Sequence, residues 1–409
     1  MLVTTGVQIS PSALDHLLRG EDGCSVNAKE LVMYIAAFTG PLTGNSVLAL
    51  LGTLRDEWSV SSGEILLSIS AFMFPFAIGQ LFSGAISDAY DRRGTMSTGL
   101  FVYAIGIFIA AASPSFSVFM VSRVVQGVGN AFVVPVIVPV LSDVAGPGRQ
   151  GVSMGYFGSF TSAGVAAGPF IAGLFVDINW RLTFVVIGIL SLVVLALILI
   201  LFEKDPNRGH ATIRAIGSKL ASAFKTRSIL GLSAAGFLTF MAQIGVISFV
   251  SDYMSSDVMG LTGFDVGLAL GLSAALGIVV SPLAGKVVDR RGVRASIMVG
   301  FILASTSAFV MQFSGGYVEF IGLLCVSAIG SSFIWAPLLV HIVRSRPDLK
   351  GTASSVFSFS RFLGYALSPI MLIPVFDSGG FAAVMVVCSM LLVAAMMFAV
   401  TAGARRPSK

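Results

Sequence analysis

Twelve charge-poor apolar segments run through this chain of 409 residues, at 31–54, 65–87, 96–115, 117–142, 151–176, 182–202, 229–251, 266–285, 295–314, 318–340, 351–376 and 379–401. Each meets the roughly 20 residues that a helix needs to cross the apolar part of a bilayer. Helices buried in soluble proteins rarely sustain such runs. Composition agrees: 56% of residues are hydrophobic and 11% charged, against about 25% charged in an average soluble domain. A globule in water could not hide that much apolar surface. A soluble enzyme, a nucleic-acid binder and a disordered scaffold are excluded on that ground. The expectation is an all-α integral membrane protein of twelve transmembrane helices, with the lipid bilayer as its solvent.

The basic residues orient it. With both termini in the cytoplasm, 21 of the 25 lysines and arginines fall in cytoplasmic segments. Arg55 and Arg181 lie at the outer side, and Arg123 and Arg361 lie inside spans. The net charge of +5 is therefore a topology signal and implies no nucleic-acid partner. Cys24, Cys325 and Cys388 are odd in number, and two of them sit in apolar runs, so no disulfide framework follows. Residues 1–29 lack the apolar core of a signal peptide. They read as a cytoplasmic segment with a short helix from Pro11. Residues 203–228 form the longest polar connection, and Ile213, Ile216, Leu220 and Phe224 recur there at helical spacing. The expected division is a six-helix bundle over 30–202, that linker with its amphipathic helix, a second bundle over 229–401 and a cytoplasmic tail at 402–409.

The bundles echo each other at an offset of about 200 residues. Gly84 and Asp88 return as Gly285 and Asp289, and Gly151 returns as Gly351. Gly164, Gly168 and Pro169 return as Gly364, Ser368 and Pro369. Two repeated bundles facing each other around a midplane site are a transporter architecture.

The loop Gly84-Ala-Ile-Ser-Asp88-Ala-Tyr-Asp91-Arg92-Arg93 resembles the signature loop of the major facilitator superfamily, and the second copy (Gly285, Asp289, Arg290, Gly292, Arg294) fits that pattern better. In the first copy Ala89 replaces a basic residue and Asp91 replaces a glycine. Arg123-Val-Val-Gln126-Gly127 on the fourth span looks like the superfamily's arginine motif. Gly155, Gly164, Gly168-Pro169 and Ala172-Gly173 on the fifth look like the antiporter motif of its drug-exporter branch, with Ala172 in place of a glycine. The resemblance covers nearly the whole chain. It implies the two-bundle fold, alternating access, a monomer and export of drug-like compounds coupled to protons; the plain charge pattern and the absence of a cleavable signal suit a prokaryotic inner membrane. Physically, spaced glycines let helix backbones approach closely, and Pro169 removes a backbone donor and permits a kink. Asp88 at a helix end, with Arg92 and Arg93 paired to carboxylates such as Asp143, would latch one conformation. Asp289, Arg290 and Arg294 would repeat that latch. Each of these charges also reads as plain topology charge.

The candidate substrate groups are polar, charged or aromatic residues deep in spans: Asn45, Gln126, Asn130, Gln243, Trp335 and Arg361. A charged arginine near the bilayer centre is costly, so Arg361 is expected to face a water-filled cavity, whereas for Arg123 the resemblance implies a coupling or structural role. No aspartate or glutamate lies well inside a span to neutralise them. Arg361 reads either as a holder of an anionic group on the substrate or as a donor to carbonyls freed near Pro369. Proton coupling would have to use Asp88, Asp91, an end carboxylate or His341. The chain has no phosphate-binding Gly-x4-Gly-Lys-Ser/Thr loop, no cluster of metal ligands and no nucleophile–base pair, so no cofactor and no enzymatic activity are expected. The leading reading is a secondary transporter of a small organic solute. An organic-anion carrier using Arg361 and a transporter-like membrane receptor are the alternatives.

Overall fold

A computed structural model describes residues 27–89, 91–145, 149–204, 222, 224–345 and 350–402. Among these, regular structure is helical. The helices are α1 (Ala28–Trp58), α2 (Ser62–Ala89), α3 (Arg92–Ala111), α4 (Phe116–Ala131), α5 (Val134–Val144), α6 (Gln150–Asn179) and α7 (Arg181–Leu201). The second half holds α8 (Arg227–Met254), α9 (Gly263–Met311), α10 (Tyr317–Ser345) and α11 (Lys350–Ala402).

Local chemistry sets the boundaries. Asn27 and Glu30 form a capping box at the start of α1, and Thr262 and Asp265 form one at the start of α9. The fourth apolar segment is two helices, because Pro135 opens α5 and has no N–H to continue the ladder of α4. Two elements are longer than any bilayer crossing. α9 turns at Gly292 (φ 85°) and α11 at Gly380 (φ 67°), a backbone that glycine adopts without a Cβ clash. Each holds two of the twelve apolar segments, so the twelvefold pattern is kept. Eleven apolar stretches among the described residues are long enough to span, the last being Thr352–Ala402 on both sides of Gly380. The amphipathic pattern of Ile213, Ile216 and Leu220 and the helix expected from Pro11 lie outside the described residues.

The surface suits lipid. Ile178, Ile200 and Val279 are 69–74% exposed, which water would penalise and acyl chains would not.

The sequence repeat is also a packing repeat. Gly164 lies against α1, where a Cβ would come 2.4 Å from the Phe38 carbonyl oxygen; Gly364 lies likewise against α8, 2.2 Å from that of Phe237. Ser368 Oγ donates to the Met241 carbonyl at 2.7 Å, while its counterpart Gly168 would bring a Cβ within 2.5 Å of the Leu42 carbonyl. Gly99 meets Gly129 in the first half as Gly300 meets Gly330 in the second. Small residues at equal offsets thus dock the same pairs of helices twice.

Candidate functional site: the seam between the halves

The halves meet closely at the end opposite the basic connections, here called the outer end. Arg55 at the end of α1 donates to Asp252 Oδ1 (3.3 Å) and to the Ser255 carbonyl (3.1 Å) of α8 and the turn that follows. Asp252 is almost fully buried there. Ser251 donates to the Leu48 carbonyl, and a Cβ on Gly52 would lie 2.8 Å from Ser255 Cβ. The antiporter-like motif of α6 forms a second strip of seam. Gly267 of α9 sits on the Pro169 carbonyl, Gly263 on Val176, and Gly271 on Ala166 and Phe170. Gly155 and Gly158 lie eleven residues before Ala166 and Pro169, hence on the same face of α6. Nothing stands within 4 Å of a Cβ at either. Among the described residues, the seam is closed at the outer end and open beside the cytoplasmic third of α6.

At mid-depth the halves touch through aromatic and polar groups. Phe76 of α2 packs edge-on against Phe362 of α11 at 4.7 Å, and Tyr365 donates to Asn45 Oδ1 at 3.3 Å. Asn45 Nδ2 donates to the Pro41 carbonyl one turn back, at 2.8 Å. In the second half, Gln243 Nε2 donates to Ser331 Oγ at 2.6 Å. Gln243, Thr239, Phe240, Ser331, Trp335 and Phe357 line a small cavity. Arg361 adjoins it, its guanidinium carbon 3.8 Å from the Trp335 ring centre, 4.1 Å from Phe362 and 4.9 Å from Phe240.

The structure therefore groups Gln243, Trp335 and Arg361 and sets Asn45 on the seam. Gln126 and Asn130 lie within the first half. Gln126 accepts from Arg123 (2.8 Å) and donates to the Gly106 carbonyl (3.1 Å), and Asn130 fills the space beside Gly40. Arg123, expected in a coupling or structural role, is packed inside the first half. It is fully buried, donates to the Ser68 and Thr43 carbonyls at 3.3 and 3.4 Å, and lies over the Phe72 ring at 4.6 Å. Carbonyls and a ring face compensate its charge where no carboxylate is at hand. Arg361 forms no bond with carbonyls near Pro369; three ring faces surround it instead.

The cytoplasmic cluster is partly as expected. Arg92 pairs with Asp143 at 2.5 Å. Arg93 donates instead to the Leu199 carbonyl at the end of α7, 2.6 Å away. Arg294 does the same at the Val400 carbonyl, 3.4 Å away, at the matching place in the repeat. A helix C-terminus offers unpaired carbonyls and partial negative charge, so an arginine needs no carboxylate there. Asp91 caps α3, accepting from the Gly94 N–H at 2.8 Å, which is why an aspartate serves where the signature loop has a glycine. Arg290 is exposed. The side chains of Asp88 and Asp289 lie outside the described residues.

Sequence reasoning missed the outer latch of Arg55, Ser251 and Asp252, as well as Phe76, Phe240, Phe362 and Tyr365. Arg55 carried a signal, since it departs from the charge rule. Phe362 and Tyr365 lie within about one turn of Arg361, but which rings would cross the seam was not written in the spacing.

The family model described as Major Facilitator Superfamily matches residues 33–369. An uncharacterized MFS-type transporter of Methanocaldococcus jannaschii is 24% identical over 83% of this chain and 89% of its own length. Quinolone resistance protein NorA of Staphylococcus aureus is 19% identical over 86% of this chain and 91% of its own length. Multidrug resistance protein 2 of Bacillus subtilis is 22% identical over 72% and 76%. Among solved structures, an inward-facing bacterial homolog of the lysosomal transporter Spinster superposes with a TM-score of 0.74, covering 93% of this chain and 98% of that one at 14% identity. A POT family transporter in complex with a peptide conjugate gives 0.75 at 14% identity, over 90% and 94%. With the family model spanning most of the chain and the helices packed as two matching sets, this integral membrane protein is a transporter, not an enzyme, and belongs to the major facilitator superfamily.

Proposed function

We propose that the chain is a secondary transporter that exports small hydrophobic organic compounds by alternating access. One observation carries the reading. A cluster of rings from both halves (Phe76, Phe240, Trp335, Phe357 and Phe362) lies in a seam that is latched at the outer end and parted toward the cytoplasm. Aromatic walls favour solutes with an apolar, planar body. Gln243, Thr239 and Asn45 supply the few polar contacts that such a site needs. The antiporter-like motif on α6 and the names of the Bacillus and Staphylococcus relatives support drug-like cargo. Proton coupling through an end carboxylate, action as a monomer and residence in a prokaryotic inner membrane complete the reading.

The test is flux of lipophilic dyes bearing negative, zero and positive charge into liposomes that hold only the purified protein. Saturable flux above protein-free liposomes, reduced several-fold in Trp335→Ala, is the expected result. Flux of every dye at the protein-free rate overturns the reading.

A further inference from the structure

Arg361 is a cation with nothing of opposite charge beside it. No hydrogen bond or ion pair reaches it among the described residues, and its Nε is buried without a partner. Rings stand against its guanidinium, at 3.8, 4.1 and 4.9 Å. The rings take none of the hydrogen-bonding capacity of its N–H groups, which no acceptor among the described residues uses. The guanidinium's N–H fork matches the paired oxygens of a carboxylate, sulfonate or phosphonate. The acids of the outer end do not serve it. Asp252 is held by Arg55, and Asp377 lies sixteen residues further along α11, about 24 Å at a helical rise of about 1.5 Å. In the first half Arg123 adds a second positive charge, compensated only by carbonyls, a glutamine and a ring. At mid-depth Arg361 thus stands without a carboxylate beside it among the described residues.

We propose that the cargo carries an anionic group that docks on the free edge of Arg361, its apolar body lying along Trp335 and Phe240, and that this anion carries the site through its closed state. Transport then runs as exchange of one organic anion for another. The reason is electrostatic. Alternating access takes the site through a state shut at both ends. There a lone guanidinium is out of bulk water, whereas one paired to an oxyanion is compensated. The insertion cost of an uncompensated arginine corresponds to about a hundredfold. The loaded carrier crosses and the empty one lags. The inference rests on reading the seam as the transport path, and it replaces a proton with a second anion as the coupled species.

The experiment uses liposomes holding the purified full chain, loaded or not with unlabelled benzoate, naphthalene-1-sulfonate or phenylphosphonate. Uptake of the same labelled anion is followed, with one neutral and one cationic lipophilic dye in parallel. Uptake of at least one anion about tenfold or more faster into loaded than empty liposomes is expected. Arg361→Gln should abolish that difference while melting within a few degrees of the parent. Arg361→Lys, which keeps the charge but loses the fork, should keep exchange with a raised KM. Equal uptake into loaded and empty liposomes, or unchanged exchange in Arg361→Gln, overturns the proposal. Flux of the neutral or cationic dye with no anion exchange overturns it and leaves the export reading standing. Flux of none of the probes removes both.

Discussion

Gly164 and Gly158 sit six residues apart on α6 and carry opposite expectations. A Cβ at Gly164 would press on the Phe38 carbonyl at 2.4 Å, and backbone cannot swing away as a side-chain tip can. Gly164→Ala should therefore lower stability by about 1–3 kcal/mol, the usual range for overpacking. Gly158 has nothing within 4 Å, so Gly158→Ala should be neutral or stabilise by about 0.5–1 kcal/mol through helix propensity. Thermal melting of both variants in one detergent checks the pair, and equal shifts would sink the assignment of Gly164 to the α1 interface. Gln126→Leu should also cost about 1–3 kcal/mol, because it removes the side-chain acceptor of a buried guanidinium. At this scale residue types were legible and partners were not. The glycine spacing announced close packing but could not say against which helix. Neither intramembrane arginine has a carboxylate within its span in the sequence, yet one is a bonded core residue and the other lies among rings. That difference comes from which helices surround them, and linear spacing does not encode it.

Among the elements, α1 and α8 are joined at the outer end by the Arg55–Asp252 pair, whose members are 17% and 4% exposed. Such a pair resists salt screening better than a surface bridge. Asp252→Asn should loosen the latch and raise the population open at the outer end several-fold. In a background without Cys24, Cys325 and Cys388, labelling of Ser255→Cys by a membrane-impermeant maleimide reads that population. Unchanged labelling would mean that the pair does not hold the seam. Helix placement was nearly complete in the sequence, because each crossing needs its own long apolar run. Breaks and turns were less so. Segment 117–142 reads as one continuous span, and only Pro135 marks the junction of α4 and α5. The departures in the first signature loop looked like damage to a motif. Asp91 as the cap of α3, and Arg93 on the end of α7, turn them into a different solution to the same boundary.

Across the whole molecule, the offset of about 200 residues organises everything from Gly164 and Gly364 to the braces of Arg93 and Arg294. Each half is a preassembled body, and the seam between them is where change can occur without unpacking a core. The sequence carried this plan well, since a repeat survives as small residues at fixed offsets. It carried the resting arrangement poorly, because closure at one end depends on contacts between the halves, such as Ser251 on Leu48, that spacing within either half does not encode. The central claim is that the halves move about this seam. A reversible lock tests it most directly. A Cβ at position 52 would lie 2.8 Å from Ser255 Cβ, so a disulfide, which spans about 3.5–4.5 Å between Cβ atoms, needs only a small relaxation there. Gly52→Cys with Ser255→Cys, in the background without other cysteines and reconstituted in liposomes, should lose solute flux on oxidation and regain it with dithiothreitol. Full flux through the oxidised, cross-linked protein would contradict alternating access at this seam.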